Sequence, residues 1–252
     1  MNMNPYFFQI LIILYYNIMD EIFSKEKLQI AIPVLFGTIY FSAFKGGKQT
    51  CDRYFVNYFL YLLTSLSVYL YSSNELDFGI TKNAIKGLVA VILLFGLLFA
   101  FHKVDNIYLK HIIWFSIIII LGIIGKKYHE KFNEKEIKSV LKKLIIILVV
   151  CVGIALTFPN LLKSSFEVAL LFGLIITIIL SIVDRYFFDK KYSKTLSYVI
   201  IFIFSSFVMY DTKRVMEFSK KCSSGKTGYL ENVLDMFLNI INLFSNLLNI
   251  EQ

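Results

Sequence analysis

Apolar residues in this chain run in long blocks separated by short polar connections. Within the most uniform blocks the apolar residues are clustered, with no polar face recurring every 3.6 residues. The most uniform are Ala84–Phe101, His111–Gly125, Leu144–Phe158 and Phe166–Val183, and Leu28–Phe44, Tyr54–Tyr71, Leu196–Tyr210 and Leu230–Ile250 resemble them. Such blocks predict helices buried in lipid or in other helices. A membrane-spanning helix needs roughly 20 residues, so the shorter blocks must borrow flanking Lys and Tyr whose ends reach back to the interface. A ninth block, Tyr6–Met19, is interrupted by Gln9 and Asn17. No small-residue cleavage site follows it before Asp20 and Glu21, so it is expected to be an anchor or interfacial helix.

The polar connections fall at Lys45–Arg53, Ser72–Asn83, Lys126–Lys143, Asp184–Thr195 and Lys213–Tyr229. None is long enough to build a soluble core, which predicts one membrane domain over 1–252. Lys126–Lys143 carries seven Lys and three Glu and is expected to be a solvated loop, with an amphipathic surface helix as the alternative.

Composition sharpens this picture. Of 252 residues 57% are hydrophobic and 17% charged, against about 25% charged in a soluble domain. A soluble enzyme is excluded, and the fold class expected is an all-α polytopic transmembrane bundle. The net charge of +8 comes from 26 Lys and Arg dispersed among the connections, a pattern that suits anionic headgroups and not nucleic acid. With all eight blocks spanning, these cations divide 11 to 15 between the two sides, too even a split to orient the chain. Cys51, Cys151 and Cys222 form no close pair in sequence. They suggest neither a disulfide framework nor a zinc site, and packing roles are expected for all three.

Candidate chemistry lies in the C-terminal fifth. Asn232, Asp235, Asn239, Asn242, Asn246 and Asn249 follow a three-then-four spacing, which at about 100° per residue puts them within roughly 100° of arc on an otherwise apolar helix. Facing lipid, a central Asp alone costs about 2.5–3.5 kcal/mol. The stripe is therefore expected to face protein or water, with Asn239 and Asn242 turned inward and Met236 or Leu243 turned elsewhere. Two readings stand: interhelical hydrogen bonding without further function, or an ion-handling site, because intramembrane carboxylates mark proton and cation pathways. Asp235 and Asp211, the latter closing the preceding block, lie on consecutive helices and are able to meet.

The segment Val208-Met209-Tyr210-Asp211-Thr212, followed by Val233-Leu234-Asp235-Met236-Phe237-Leu238-Asn239-Ile240-Ile241-Asn242-Leu243-Phe244, resembles the C-terminal signature of the transmembrane Bax inhibitor motif family, the Bax inhibitor and Golgi anti-apoptotic protein type. The resemblance covers about 196–250. It implies seven core helices with the last one central, leaving one or two surplus N-terminal segments. The domain then divides into an extension or extra anchor at 1–27, surrounding helices at 28–195, and the family-like last two helices at 196–252.

The resemblance also implies a pH-sensitive Ca²⁺ leak, modulation of intracellular calcium and suppression of cell death. The location it implies is an intracellular membrane, ER or Golgi, if the setting is eukaryotic or viral, and a bacterial membrane otherwise. No cofactor is expected beyond Ca²⁺ as a transported ion. The partners expected are the lipid bilayer, Ca²⁺ or H⁺, and other membrane proteins of cell-death pathways.

In the family two aspartates from the last two helices form a latch that shares a proton. Asp211 matches the first and Asn239 stands where the second belongs; either Asp235, one turn earlier, stands in for the missing acid, or the pH response is absent. Without a close carboxylate partner, Asp211 is expected to titrate differently from the family pair. The ion-binding or pH-sensing candidates are thus Asp211, Asp235, Asn239 and Asn242, with no catalytic or metal residues. The rival readings are a non-conducting scaffold that binds other membrane proteins and, third, an intramembrane enzyme using Asp211 and Asp235 as acid and base.

Remaining motifs carry less. Gly225-Lys226-Thr227 has Lys220 where a phosphate loop needs its first glycine, and no strand precedes it. His102, His111 and His129 lack metal-ligand spacing. Asp184-Arg185 is expected to cap a helix end or form a local ion pair.

Overall fold

The computed structural model describes residues 25–79, 83–223 and 227–251, so Tyr6–Met19 lies outside the described residues. Within them are eight helices: α1 Lys25–Ala43, α2 Tyr54–Glu75, α3 Ala84–Lys103, α4 Ile107–Lys131, α5 Glu134–Thr157, α6 Ser164–Phe187, α7 Ser193–Lys221 and α8 Tyr229–Glu251. Each contains one of the eight apolar blocks, and the fold is an all-α polytopic helical bundle. One short 3₁₀ turn, Pro159–Leu161, joins α5 to α6. A two-residue antiparallel ribbon pairs Phe44 with Gln49 and Lys45 with Lys48 between α1 and α2. Its turn is Gly46-Gly47, both at positive φ (59° and 76°), where a side chain would be strained.

Six helices, α3 through α8, are long and apolar enough to cross a membrane. The other two depart from that pattern through their polar residues. Helix α1 opens on Lys25, Glu26, Lys27 and Gln29 and carries Pro33 in its interior. Helix α2 buries a polar stripe, Asn57, Thr64, Ser65, Ser72 and Ser73, together with Tyr61 and Val68. Polar residues turned inward are the reverse of a soluble amphipathic helix, and small ones let helices approach closely. By contrast α3 buries only Ala90 and Phe101, and Phe95 and Phe99 on α3 and Phe172 and Ile176 on α6 are exposed. Apolar surfaces of this kind suit lipid as their solvent.

The chain forms two compact units. The first holds α1 to Ser42, α2 from Leu63, α3, and α4 to His129. Here Gly122 and Gly125 of α4 meet α2: a Cβ on Gly122 would lie 2.7 Å from both the Ser72 Cβ and the Tyr69 carbonyl oxygen, and one on Gly125 would overlap the Tyr69 hydroxyl. Trp114 is fully buried and meets the edge of the Phe36 ring, centroid to centroid 6.3 Å.

The second unit holds residues 43–62 and α5 to α8. In it α8 packs against α7 and α5, and α7 packs against α5 and α6. Lys143 near the start of α5 pairs with Glu251 at the end of α8. The Lys213 ammonium donates to the Leu162 carbonyl, tying α7 to the turn after α5.

Three expectations are corrected. Lys126–Lys143 is neither loop nor surface helix: α4 continues to Lys131 and α5 begins at Glu134. The break is enforced by a capping box in which the Asn133 carbonyl oxygen of the side chain accepts from Glu136 N–H and the Glu136 carboxylate accepts from Asn133 N–H, both at 3.0 Å. Lys213–Tyr229 is likewise mostly helical, since α7 runs to Lys221. Finally, Cys51 and Cys222 form a disulfide, with Cα atoms 5.9 Å apart at a sequence separation of 171. Spacing hides a pair that the fold creates by joining the start of α2 to the end of α7. Cys151 is free and buried, as a packing residue should be.

Candidate functional site

Helices α7 and α8 are consecutive and antiparallel, and their polar residues meet in rungs. Asn239 Nδ2 donates to Asp211 Oδ2 at 2.6 Å. One turn toward the connection, Arg214 Nη1 lies 2.9 Å from Asp235 Oδ2. The spacings are three residues on α7 and four on α8, the two separations that share a helix face. Asp211 and Asn239 are 6% and 7% exposed, whereas the Arg214 and Asp235 side chains are about a third exposed. The inner rung is thus an enclosed carboxylate satisfied by an amide, and the outer rung a half-exposed ion pair. Asp235 of α8, Arg214 of its own helix and Glu167 of α6 are the charged groups that act electrostatically on Asp211. The Tyr58 hydroxyl of α2 is buried within range of the same charge.

Beyond the outer rung a second polar cluster closes the same end of the helices. Asn232 Nδ2 donates to the Tyr54 hydroxyl at 3.2 Å, and that hydroxyl donates to the Thr227 carbonyl at 3.1 Å. The Thr227 hydroxyl donates to Gln49 Oε1 at 2.5 Å, and Gln49 Nε2 donates to the Tyr61 hydroxyl at 3.1 Å. The Tyr229 hydroxyl donates to the Thr50 carbonyl at 2.8 Å and accepts from Asn57 Nδ2 at 3.2 Å. The Tyr229 ring lies between those of Tyr54 and Tyr61, at centroid distances of 4.8 and 5.6 Å. Gly228 enters α8 at a φ of 64°, with Phe218 and Asn232 close enough to crowd any side chain there.

Each predicted residue therefore has a definite place. Asp211 lies within α7 and not at its end, and it reaches Asn239 as the resemblance implies. Asp235 is on the expected face, one turn away, engaged with Arg214. Asn242 is only half-buried, and its Nδ2 donates to the Leu238 carbonyl of its own helix at 2.8 Å. Asn246 does the same to Asn242 at 2.9 Å. Met236 and Leu243, expected on another side, are 6% and 0% exposed. The expected division fails because α8 is buried on its apolar sides as well, so the interior is not confined to the Asn stripe.

The residues that sequence reasoning missed are Arg214, assigned to a loop, and the Gln49, Tyr54, Asn57, Tyr61, Thr227 and Tyr229 cluster. Their signal was the polar rim of two helix starts. Elsewhere, Asp184 accepts from the Tyr192 N–H at 2.9 Å and so serves the turn between α6 and α7. His102 and His111 each bond a carbonyl of their own helix.

The sequence profile of the family described as inhibitor of apoptosis-promoting Bax1 matches residues 53–251. An uncharacterized membrane protein of Vibrio cholerae is 32% identical over 78 residues, which is 31% of this chain and 32% of that protein. Bax inhibitor 1 of Drosophila melanogaster is 28% identical over 100 residues, 38% of this chain and 40% of the fly protein. The matched stretches thus span between a third and two fifths of the curated relatives. The profile match takes in α2 through α8 and both rungs, and it begins after α1.

Proposed function

Since this chain belongs to the Bax inhibitor family and is a multi-pass integral membrane protein, we propose that it passes Ca²⁺ down its gradient across an intracellular membrane, in a pH-dependent manner. By lowering the stored ion it suppresses cell death. The observation that carries this reading is Asp211, an ionisable side chain enclosed in a helix bundle and bonded to Asn239 of the next helix. A carboxylate in such a place is costly to bury and marks ion and proton pathways, and its oxygens are the ligand type that hard cations prefer.

Asp235 supplies the second acid within reach. Its partner Arg214 is half-exposed, so a cation or proton competing for Asp235 or Asp211 alters both rungs together. Opening of the path is then a matter of exchanging Asn239 and Arg214 for the ion.

The test is Ca²⁺ flux into proteoliposomes from mildly acidic to mildly alkaline pH, comparing wild type with Asp211→Asn. The wild type is expected to conduct with a pH-dependent rate and the variant to lose that dependence. No flux above protein-free vesicles at any pH would favour the second reading, a non-conducting scaffold. That reading draws on Asn242 and Asn246, whose amide nitrogens donate to carbonyls of α8 itself.

A further inference from the structure

We infer that Cys51–Cys222 is a reversible redox-modification site, exchanging with small anionic thiols, whose state sets how firmly the α7–α8 connection is held against the start of α2. Three observations lead there.

The bridge joins two points that hydrogen bonds and ring contacts also hold together. Cys51 lies between the ribbon and α2, and Cys222 is the residue at which α7 ends. Next to it, Thr227 is gripped by Gln49 and Tyr54, Tyr229 by Thr50 and Asn57, and Asn232 by Tyr54. Every one of these bonds connects 49–57 to 227–232. Bridge and cluster therefore restrain the same movement, withdrawal of the connection from α2. A covalent tie between distant residues mainly narrows the opened ensemble, so its loss acts on opening and leaves the helices themselves formed.

The sulfurs are also reachable. Cys51 and Cys222 are both half-buried, and Asp52, Arg53, Lys221 and Ser223 beside them are exposed. Arg53, Lys220 and Lys221 give the approach a positive field, and Asp52, the acid among them, is paired with Lys45 at 3.8 Å. Such a field concentrates anionic thiols of the glutathione class. A buried structural bridge offers no such access.

Reduction is thiol–disulfide exchange. A thiolate of the reductant attacks one sulfur, forming a mixed disulfide and releasing the other cysteine, which takes up a proton. A second thiolate of the reductant attacks the mixed disulfide and releases the remaining cysteine, also protonated. Two electrons pass from two small thiols to Cys51 and Cys222, and the small disulfide is the oxidised product.

The two rungs lie next along α7 and α8, so the inference adds a control to the ion path proposed above. Its test is nonetheless independent of flux. The full-length protein in nanodiscs is equilibrated with reduced or oxidised glutathione, and the two cysteines are scored by alkylation and mass spectrometry. Amide hydrogen exchange is followed over 227–234. The bridge is expected to open in millimolar reduced glutathione without unfolding and to re-form in the oxidised form. Exchange over 227–234 should quicken roughly tenfold or more on opening, and Cys51→Ser/Cys222→Ser should show the fast rate in both buffers. A bridge that resists the reductant, cysteines that alkylate freely in the oxidant, or exchange rates unmoved by opening would each overturn the inference. Should exchange respond while vesicles show no Ca²⁺ flux under either condition, the modification site stands and the leak reading fails.

Discussion

At the scale of single residues, the Asp211–Asn239 rung sets the sharpest expectations. Asn239→Ala removes the donor and leaves an enclosed carboxylate oxygen without its partner, a loss of about 1–3 kcal/mol, readable as earlier thermal unfolding in detergent. Asn239→Asp instead sets two carboxylates at hydrogen-bond distance, which cannot both ionise and must share a proton. The pH dependence of Ca²⁺ flux should then steepen, while Asp211→Asn flattens it. Superimposable profiles for wild type and both variants would remove these groups as the sensor.

Arg214→Gln breaks a pair whose members are about a third exposed, so its cost to stability is expected to be about 1 kcal/mol or less. Asp211 and Asn239 were legible from sequence because a helix carries its polar spacing openly. Arg214 was not, since a cation just past an apolar block reads equally well as the start of a loop. Cys51 and Cys222 were illegible for a different reason: a tie across 171 residues is a product of the tertiary arrangement.

Between helices, packing discriminates among glycines that look alike in sequence. Gly122→Ala pushes a methyl group into the Tyr69 carbonyl and Ser72, and the carbonyl belongs to the backbone of α2 and has nowhere to go. Overpacking of this sort typically costs about 1–3 kcal/mol. Gly96→Ala on α3 and Gly153→Ala on α5 meet nothing within 4 Å and should be neutral or gain up to about 1 kcal/mol from helix propensity. A thermal-shift comparison of the three variants decides it, and equal effects would mean that α2 and α4 are not in close contact. The apolar blocks located all eight helices, yet their ends were misjudged at α4, α5 and α7. In each case the helix continues into lysine-rich sequence, because Lys and Glu are good helix formers and only the Asn133 cap breaks the run between α4 and α5.

Taken as one molecule, the chain holds more helix than its family profile requires. The match begins at residue 53, so α1 and everything before it lie outside. Removing residues 1–20 is expected to leave expression, membrane insertion and thermal stability unchanged within about 1 kcal/mol. Failure of the truncated chain to insert would make that stretch a member of the bundle.

The enclosure of α8 bears on how the protein is made. Helix α8 is made after α2 and α7, and its polar residues are unwelcome in bare lipid. Asn232, Asp235 and Asn239 find their partners on α2 and α7, both synthesised earlier, so α8 enters a site that the rest of the chain has already prepared. Assembly is therefore self-checking. A chain whose Asp211 or Arg214 is lost leaves Asn239 or Asp235 without its partner, and such a copy is expected to be degraded faster in cells than the intact one, which a pulse-chase comparison reads.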